Sequence, residues 1–132
     1  MDFRQTSVGE LAEQVRTKQV SARELAQAAL DRIEALNGAV NAFVAVDGER
    51  ALRDAAAVDE LVAAGDDPGL LAGIPIGVKD LEDATGFVTS MGSATRSSGP
   101  PADGDSILVA RLRAAGAVVV GKTNTPEYGW KG

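Results

Sequence analysis

Ile74-Pro75-Ile76-Gly77-Val78-Lys79-Asp80 alternates without a break, and its reading decides the fold. Period-two alternation marks a strand, with Ile74, Ile76 and Val78 on one face and Pro75, Gly77 and Lys79 on the other. Further on, Ala117-Val118-Val119-Val120 is an unbroken apolar run, the pattern of a strand buried on both faces. The two segments are expected to share one sheet.

Outward from these strands, helical spacing prevails. Ser7 and Glu10, then Ser21 and Glu24, are two capping boxes, each followed by apolar residues at helical spacing. The second stripe, Leu25, Ala29, Ile33 and Leu36, is expected to stop at Asn37-Gly38. Asp47 reads as the cap of a third helix that ends at Gly65. Asp105 reads as the cap of a fourth, with Leu108, Val109, Leu112 and Ala115 inward and Gly116 closing it. The spacing predicts helices near 7–18, 21–37, 48–64 and 105–115, and strands near 40–45, 74–79 and 117–121, with a loop from about Thr85 to Gly104. Helices alternating with short apolar strands indicate an α/β architecture.

Composition narrows the function. The 132 residues suit one domain, and 45 % hydrophobic with 24 % charged residues is ordinary for a globular protein. Thirteen Lys+Arg against nineteen Asp+Glu give a net charge of −6, which argues against nucleic acid or an anionic membrane as partner. No apolar run approaches the ~20 residues of a membrane span, and no apolar stretch at the N-terminus reads as a secretory signal. A cytoplasmic protein is expected. With no cysteine and no histidine, thiol chemistry, a Ser-His-Asp triad and the usual zinc ligands are absent, so no metal or cofactor is expected. Acid–base work falls to Lys, Asp, Glu or Tyr.

Lys79 is the residue to explain. A lysine at a strand end is ordinarily solvated. Set inside, it would be pushed by desolvation towards the neutral, proton-accepting form that can activate a serine without histidine. Asp80, Glu82 and Asp83 cluster, but at no trusted metal-ligand spacing. Ser97-Ser98-Gly99 sits in a loop with no strand ahead of it to make a nucleophile turn. Gly116 to Thr123 satisfies the spacing of a phosphate-binding loop, Gly-x-x-x-x-Gly-Lys-Thr, yet its middle residues are the apolar strand itself rather than a loop.

The block Leu71-Ala72-Gly73-Ile74-Pro75-Ile76-Gly77-Val78-Lys79-Asp80 resembles the Gly-Ile-Pro-Val-Ala-Val-Lys-Asp block of the amidase signature family. Thr89-Ser90-Met91-Gly92-Ser93 is similar to its Thr-Thr-x-Gly-Ser element. Leu112-Arg113-Ala114-Ala115-Gly116-Ala117, and then Gly121-Lys122-Thr123-Asn124-Thr125-Pro126-Glu127-Tyr128-Gly129, resemble the run that follows. Asn41-Ala42-Phe43 fits its N-terminal pattern, and the likeness covers nearly the whole chain in order. One departure is Leu81-Glu82, where many members have Asn-Ile; Lys79 and Asp83 are kept.

The resemblance implies a mixed central sheet flanked by helices, incomplete in this chain: residues 1–132 as the N-terminal fragment of one amidase domain, helical over about 1–65, with the catalytic α/β core beginning over about 70–132. It implies cleavage of carboxamides by a lysine, here Lys79, relaying a proton through a cis-bonded serine from a nucleophilic serine. A Gly-Gly-Ser-Ser-Gly-Gly-like block carries those serines, and none occurs in the chain. Tyr128, Gly129 and Trp130 would then line an acyl channel, the alternative being that Tyr128 and Trp130 are core aromatics. The expected partner is a small-molecule amide, with a complementing C-terminal chain as a second partner. Three readings stand: a truncated amidase inactive alone, favoured by the stop at Trp130-Lys131-Gly132; one chain of a split amidase or an amidotransferase A-type subunit; and a non-catalytic binding remnant. Incompleteness also predicts a large exposed apolar surface around Ile76, Val78, Val119 and Val120.

Overall fold

The computed structural model describes residues 2–130. The elements run α1 (Val8–Arg16), α2 (Ala22–Val40), β1 (Phe43–Val46), α3 (Gly48–Ala64), β2 (Pro75–Lys79), α4 (Ile107–Ala114) and β3 (Val118–Thr123), closed by a 3-10 turn over Glu127–Gly129. The strands form one three-stranded sheet in the order β1-β3-β2, with β3 antiparallel to β1 and parallel to β2. The Lys79 and Val118 segments therefore share one sheet, as their patterns predict, and are neighbours in it. Lys131 and Gly132, where the pattern has the chain break off inside a loop, lie outside the described residues.

Both capping boxes form as the sequence indicates. Ser7 and Ser21 each accept from the amide three residues on, while Glu10 and Glu24 reach back to the cap amides. The helices then bury Ala12, Ala22, Ala26, Ala51 and Ala55, interleaved with Leu and Val, against Val118, Val120 and Ile74. Small side chains let helix backbones approach the sheet closely. At Gly73, with φ +71, an added Cβ would lie 2.5 Å from that of Ala22. On the opposite face, Val78 and Val119 pack with Ala84, Phe87 and Val109, so the loop after β2 and α4 form the second cover.

Four expectations are corrected. First, α2 runs past Asn37-Gly38 to Val40. Asn37 instead clasps β1, donating from Nδ2 to the Phe43 carbonyl at 2.9 Å and accepting from the Phe43 amide at 2.8 Å, and Asn41 takes the left-handed cap. Second, the cap of α4 is Ser106, because Asp105 is committed to Thr85; Leu108 on that helix faces outward. Third, Ile74 and Val78 do not share a face: Ile74 lies just ahead of β2 and packs with the helices, while Val78 packs with the loop and α4. Fourth, Val78, Val119 and Val120 are buried and Ile76 is half-buried, because the two covers close over both faces of β3. The exposed-sheet argument for incompleteness fails with that burial. Exposed apolar side chains gather instead on β1 (Val44, Val46) and at the start of α4 (Ile107, Leu108).

Gly121 is where β1 meets β3 most closely: a Cβ there would fall 2.2 Å from the Ala45 carbonyl oxygen. Gly121→Ala is expected to destabilise the chain by about 1–3 kcal/mol by forcing β1 away. Gly38→Ala, in a helix with open space around it, should stabilise it by about 0.5–1 kcal/mol. Denaturant midpoints of the two variants check both signs.

Candidate active site

β2 delivers Lys79 to the end of the sheet. Within the described residues β2 is an edge strand and β3 the interior one, and Lys79 is exposed, the ordinary placement of a lysine at a strand end. It has no carboxylate within 4.0 Å among the described residues.

The buried lysine is a different one. Lys122 on β3 is 0 % exposed and Asp80 2 %, and their charges meet at 2.9 Å from Nζ to Oδ1. The other two ammonium protons have acceptors at 3.3 Å in the Val88 carbonyl and Thr89 Oγ1, so all three donors of Lys122 are matched. Asp80 is saturated in turn: Oδ1 also accepts from the Ser90 amide at 3.1 Å, and Oδ2 accepts from the Ser90 hydroxyl. Unmatched, either charge would be costly in this interior.

The sequence pattern brings Lys122 forward only within the phosphate-loop spacing, which is rejected because Val118–Thr123 is strand. A signal for its true role is nonetheless present: a lysine closing an apolar strand needs a carboxylate, and Asp80 closes the neighbouring strand. Asp83 of the acidic cluster accepts from Thr89 Oγ1 at 2.6 Å, and among the described residues no group of three His, Cys, Asp or Glu gathers as a metal site.

The segment at 126–130 is joined to this corner by backbone. The Met91 amide donates to the Asp80 carbonyl at 3.0 Å, and the Tyr128 amide donates to the Met91 carbonyl at 2.6 Å. Ser93 Oγ donates to Glu127 Oε1 at 2.8 Å, and Gly129 lies against Leu81. Lys79 and the Tyr128–Trp130 segment are thus linked through the backbone of Asp80 and Met91. Among the described residues Tyr128 is 52 % exposed and Trp130 80 %. Tyr128 also holds a left-handed backbone, φ 51, uncommon for a residue with a side chain. An apolar groove of about 360 Å³ lies on the Gly77 face between Phe3, Val8, Leu11, Ile33 and Phe43; Lys79 is not among its walls.

The far end of the loop is pinned to α3 and α4. Asp105 Oδ1 accepts from the Thr85 amide at 2.8 Å and from its hydroxyl at 3.0 Å. Arg113 Nε faces Asp105 Oδ2 at 3.0 Å without hydrogen-bond alignment, while its Nη1 donates to Asp54 at 3.0 Å. Burial pushes the Asp105 carboxyl up, but the Thr85 hydrogen bonds, with Arg113 and Arg50, outweigh it and hold Asp105 below its ordinary value of 3.8. A carboxylate lowered on folding contributes stability that is full above the unfolded value and lost as pH falls through the folded one. The stability gap between wild type and Asp105→Asn, from urea midpoints, is therefore expected to be widest at neutral pH and to close as the pH drops below 3.8.

Comparison with known proteins adds the family context. A family model described as Amidase matches residues 24–131. The chain is 40 % identical over 128 residues to the A-type subunit of the glutamyl-tRNA(Gln) amidotransferase from Carboxydothermus hydrogenoformans, covering 97 % of this chain and 26 % of the relative. It is 39 % identical over 126 residues to the acylamidase of Rhodococcus erythropolis, covering 96 % and 26 %. The native peptide amidase of Stenotrophomonas maltophilia superposes with a TM-score of 0.88 at 37 % identity, covering 96 % of this chain and 26 % of that one. The chain thus spans about a quarter of the length of the curated relatives it matches.

Proposed function

The chain belongs to the amidase signature family, and from that premise we propose that it forms the lysine-bearing part of a site that hydrolyses carboxamide C–N bonds. The observation that carries the reading is Lys79: it ends the block that matches the family's, it projects from the sheet end, and no carboxylate engages it among the described residues. In this reading the unprotonated Lys79 amine takes the proton of a nucleophilic serine through a bridging serine as the serine attacks the amide carbonyl. The C–N bond then breaks, the departing amine takes up the proton, and water hydrolyses the acyl-serine.

Both serines come from residues other than these 132, which contain no Gly-Gly-Ser-Ser-Gly-Gly-like block. The chain by itself is accordingly inactive, one N-terminal portion of a single amidase domain in a cytoplasmic enzyme without a cofactor. Tyr128, Gly129 and Trp130 form part of the wall against which the acyl group lies; the exposure of both aromatic rings supports this role. A second reading draws on the amidotransferase relatives: the chain belongs to an A-type subunit that works beside a partner polypeptide and takes glutamine as its amide.

Two measurements test this, on the protein purified as its own cells make it. Amine or ammonia release is followed over a panel of acyl amides, peptide amides and glutamine. Lys79→Ala is expected to lower turnover by at least about 10²–10⁴-fold, the worth of a general base, with the melting midpoint unchanged because an exposed side chain leaves no cavity. Wild-type turnover in that variant would falsify the assignment of Lys79. Preference for glutamine would favour the second reading. Trp130→Ala is expected to change the ranking among acyl groups of different size. A shift in melting temperature with the ranking intact removes Trp130 from the channel.

A further inference from the structure

We propose that Lys122, acting through Asp80, is the positioning residue for Lys79. This rests on the catalytic reading of Lys79 given above. Consecutive residues at a strand end send their side chains to opposite faces, so the orientation of Asp80 fixes the direction in which the Lys79 amine leaves the sheet. Asp80 is held from every side. Its amide donates to the Thr123 carbonyl at 3.0 Å, its carbonyl accepts from Met91 at 3.0 Å, and its carboxylate takes Lys122 and Ser90.

A register slip aims Lys122 at that carboxylate. Ile76 pairs with Val119 but Gly77 pairs with Gly121, leaving Val120 as an extra residue on β3. Such a bulge re-aims the side chains beyond it. Without it, alternation from Val118 and Val120 would turn Lys122 towards the helical face. With it, Lys122 meets Asp80, Val88 and Thr89 on the loop face.

Stability alone does not account for this arrangement. A buried ion pair contributes little beyond an apolar pair of the same volume, and the interior of β3 is otherwise valine and glycine. What the pair supplies is a single geometry for both limbs of the loop, one carrying Lys79 and the other leading to Met91 and hence to Tyr128.

The test uses the natively purified protein with three changes: Lys79→Ala, the double variant Asp80→Asn with Lys122→Met, and Ser90→Ala. For each, kcat and KM on the hydrolysed amide are measured, with turnover normalised to the acyl-enzyme burst so that only folded sites count. The double variant removes both charges together and is expected to keep its melting midpoint within a few degrees. Its kcat should fall on the order of 10²-fold with KM within about threefold, the signature of a misplaced reacting group. Ser90→Ala, which deletes one hydrogen bond to Asp80, should lower kcat about tenfold at unchanged KM, and it carries the test if the double variant does not fold. A folded double variant, or Ser90→Ala, with wild-type kcat while Lys79→Ala is inactive overturns the positioning role alone. Wild-type turnover in Lys79→Ala overturns the catalytic reading and this inference together.

Discussion

An ammonium group withdrawn from water must find its acceptors inside the protein, and Lys122 imposes that demand on everything around it. Its acceptors come from both limbs of one loop: Asp80 where the loop leaves β2, Val88 and Thr89 where it returns. The path of the loop between these points follows from the need to saturate one charge. The register of β2 follows too, because Asp80 reaches Nζ only when β2 lies parallel to β3 with Lys79 opposite Thr123. On the other edge, β1 can approach only because Gly121, beside Lys122, has no side chain to meet Ala45.

The parts of this fold that were legible in the sequence are those set by local chemistry. Ser7 with Glu10 and Ser21 with Glu24 start helices through hydrogen bonds that span three residues, and Gly65 ends one by taking a left-handed backbone. An unbroken valine run belongs inside a sheet whatever its partners are. What escaped was set by residues far apart in the chain. Asp105 looks like a helix cap until Thr85 claims it across twenty residues, and Asn37 looks like a stop until Phe43 gives both its backbone groups to it. The bulge at Val120 is invisible to any count of alternation, and it decides which face receives Lys122.

The site was legible in the same uneven way. Lys79 is visible because it stands in a motif, but its surroundings are not, because a strand's place in a sheet is not encoded in the strand. Alternation identifies β2 as a strand and cannot say that β3 will take the interior position. The acidic cluster misleads for the same reason. Its members serve different masters, Asp80 the buried ammonium and Asp83 the Thr89 hydroxyl.

The two lysines stand in opposite surroundings. A lysine that is to exchange protons with a substrate must be reachable and must keep its lone pair free of competing carboxylates. A lysine that is to hold a loop in one shape must be desolvated and fully hydrogen-bonded, because any unmatched donor would cost stability. Lys122 meets the second set of conditions through three matched donors and no exposure. Lys79, one residue before the carboxylate that anchors Lys122, is exposed and meets no carboxylate within 4.0 Å among the described residues. Placing the anchor immediately next to Lys79 fixes its backbone while leaving its side chain uncommitted. That combination is what a group needs if it is to be rigidly aimed and still available for chemistry.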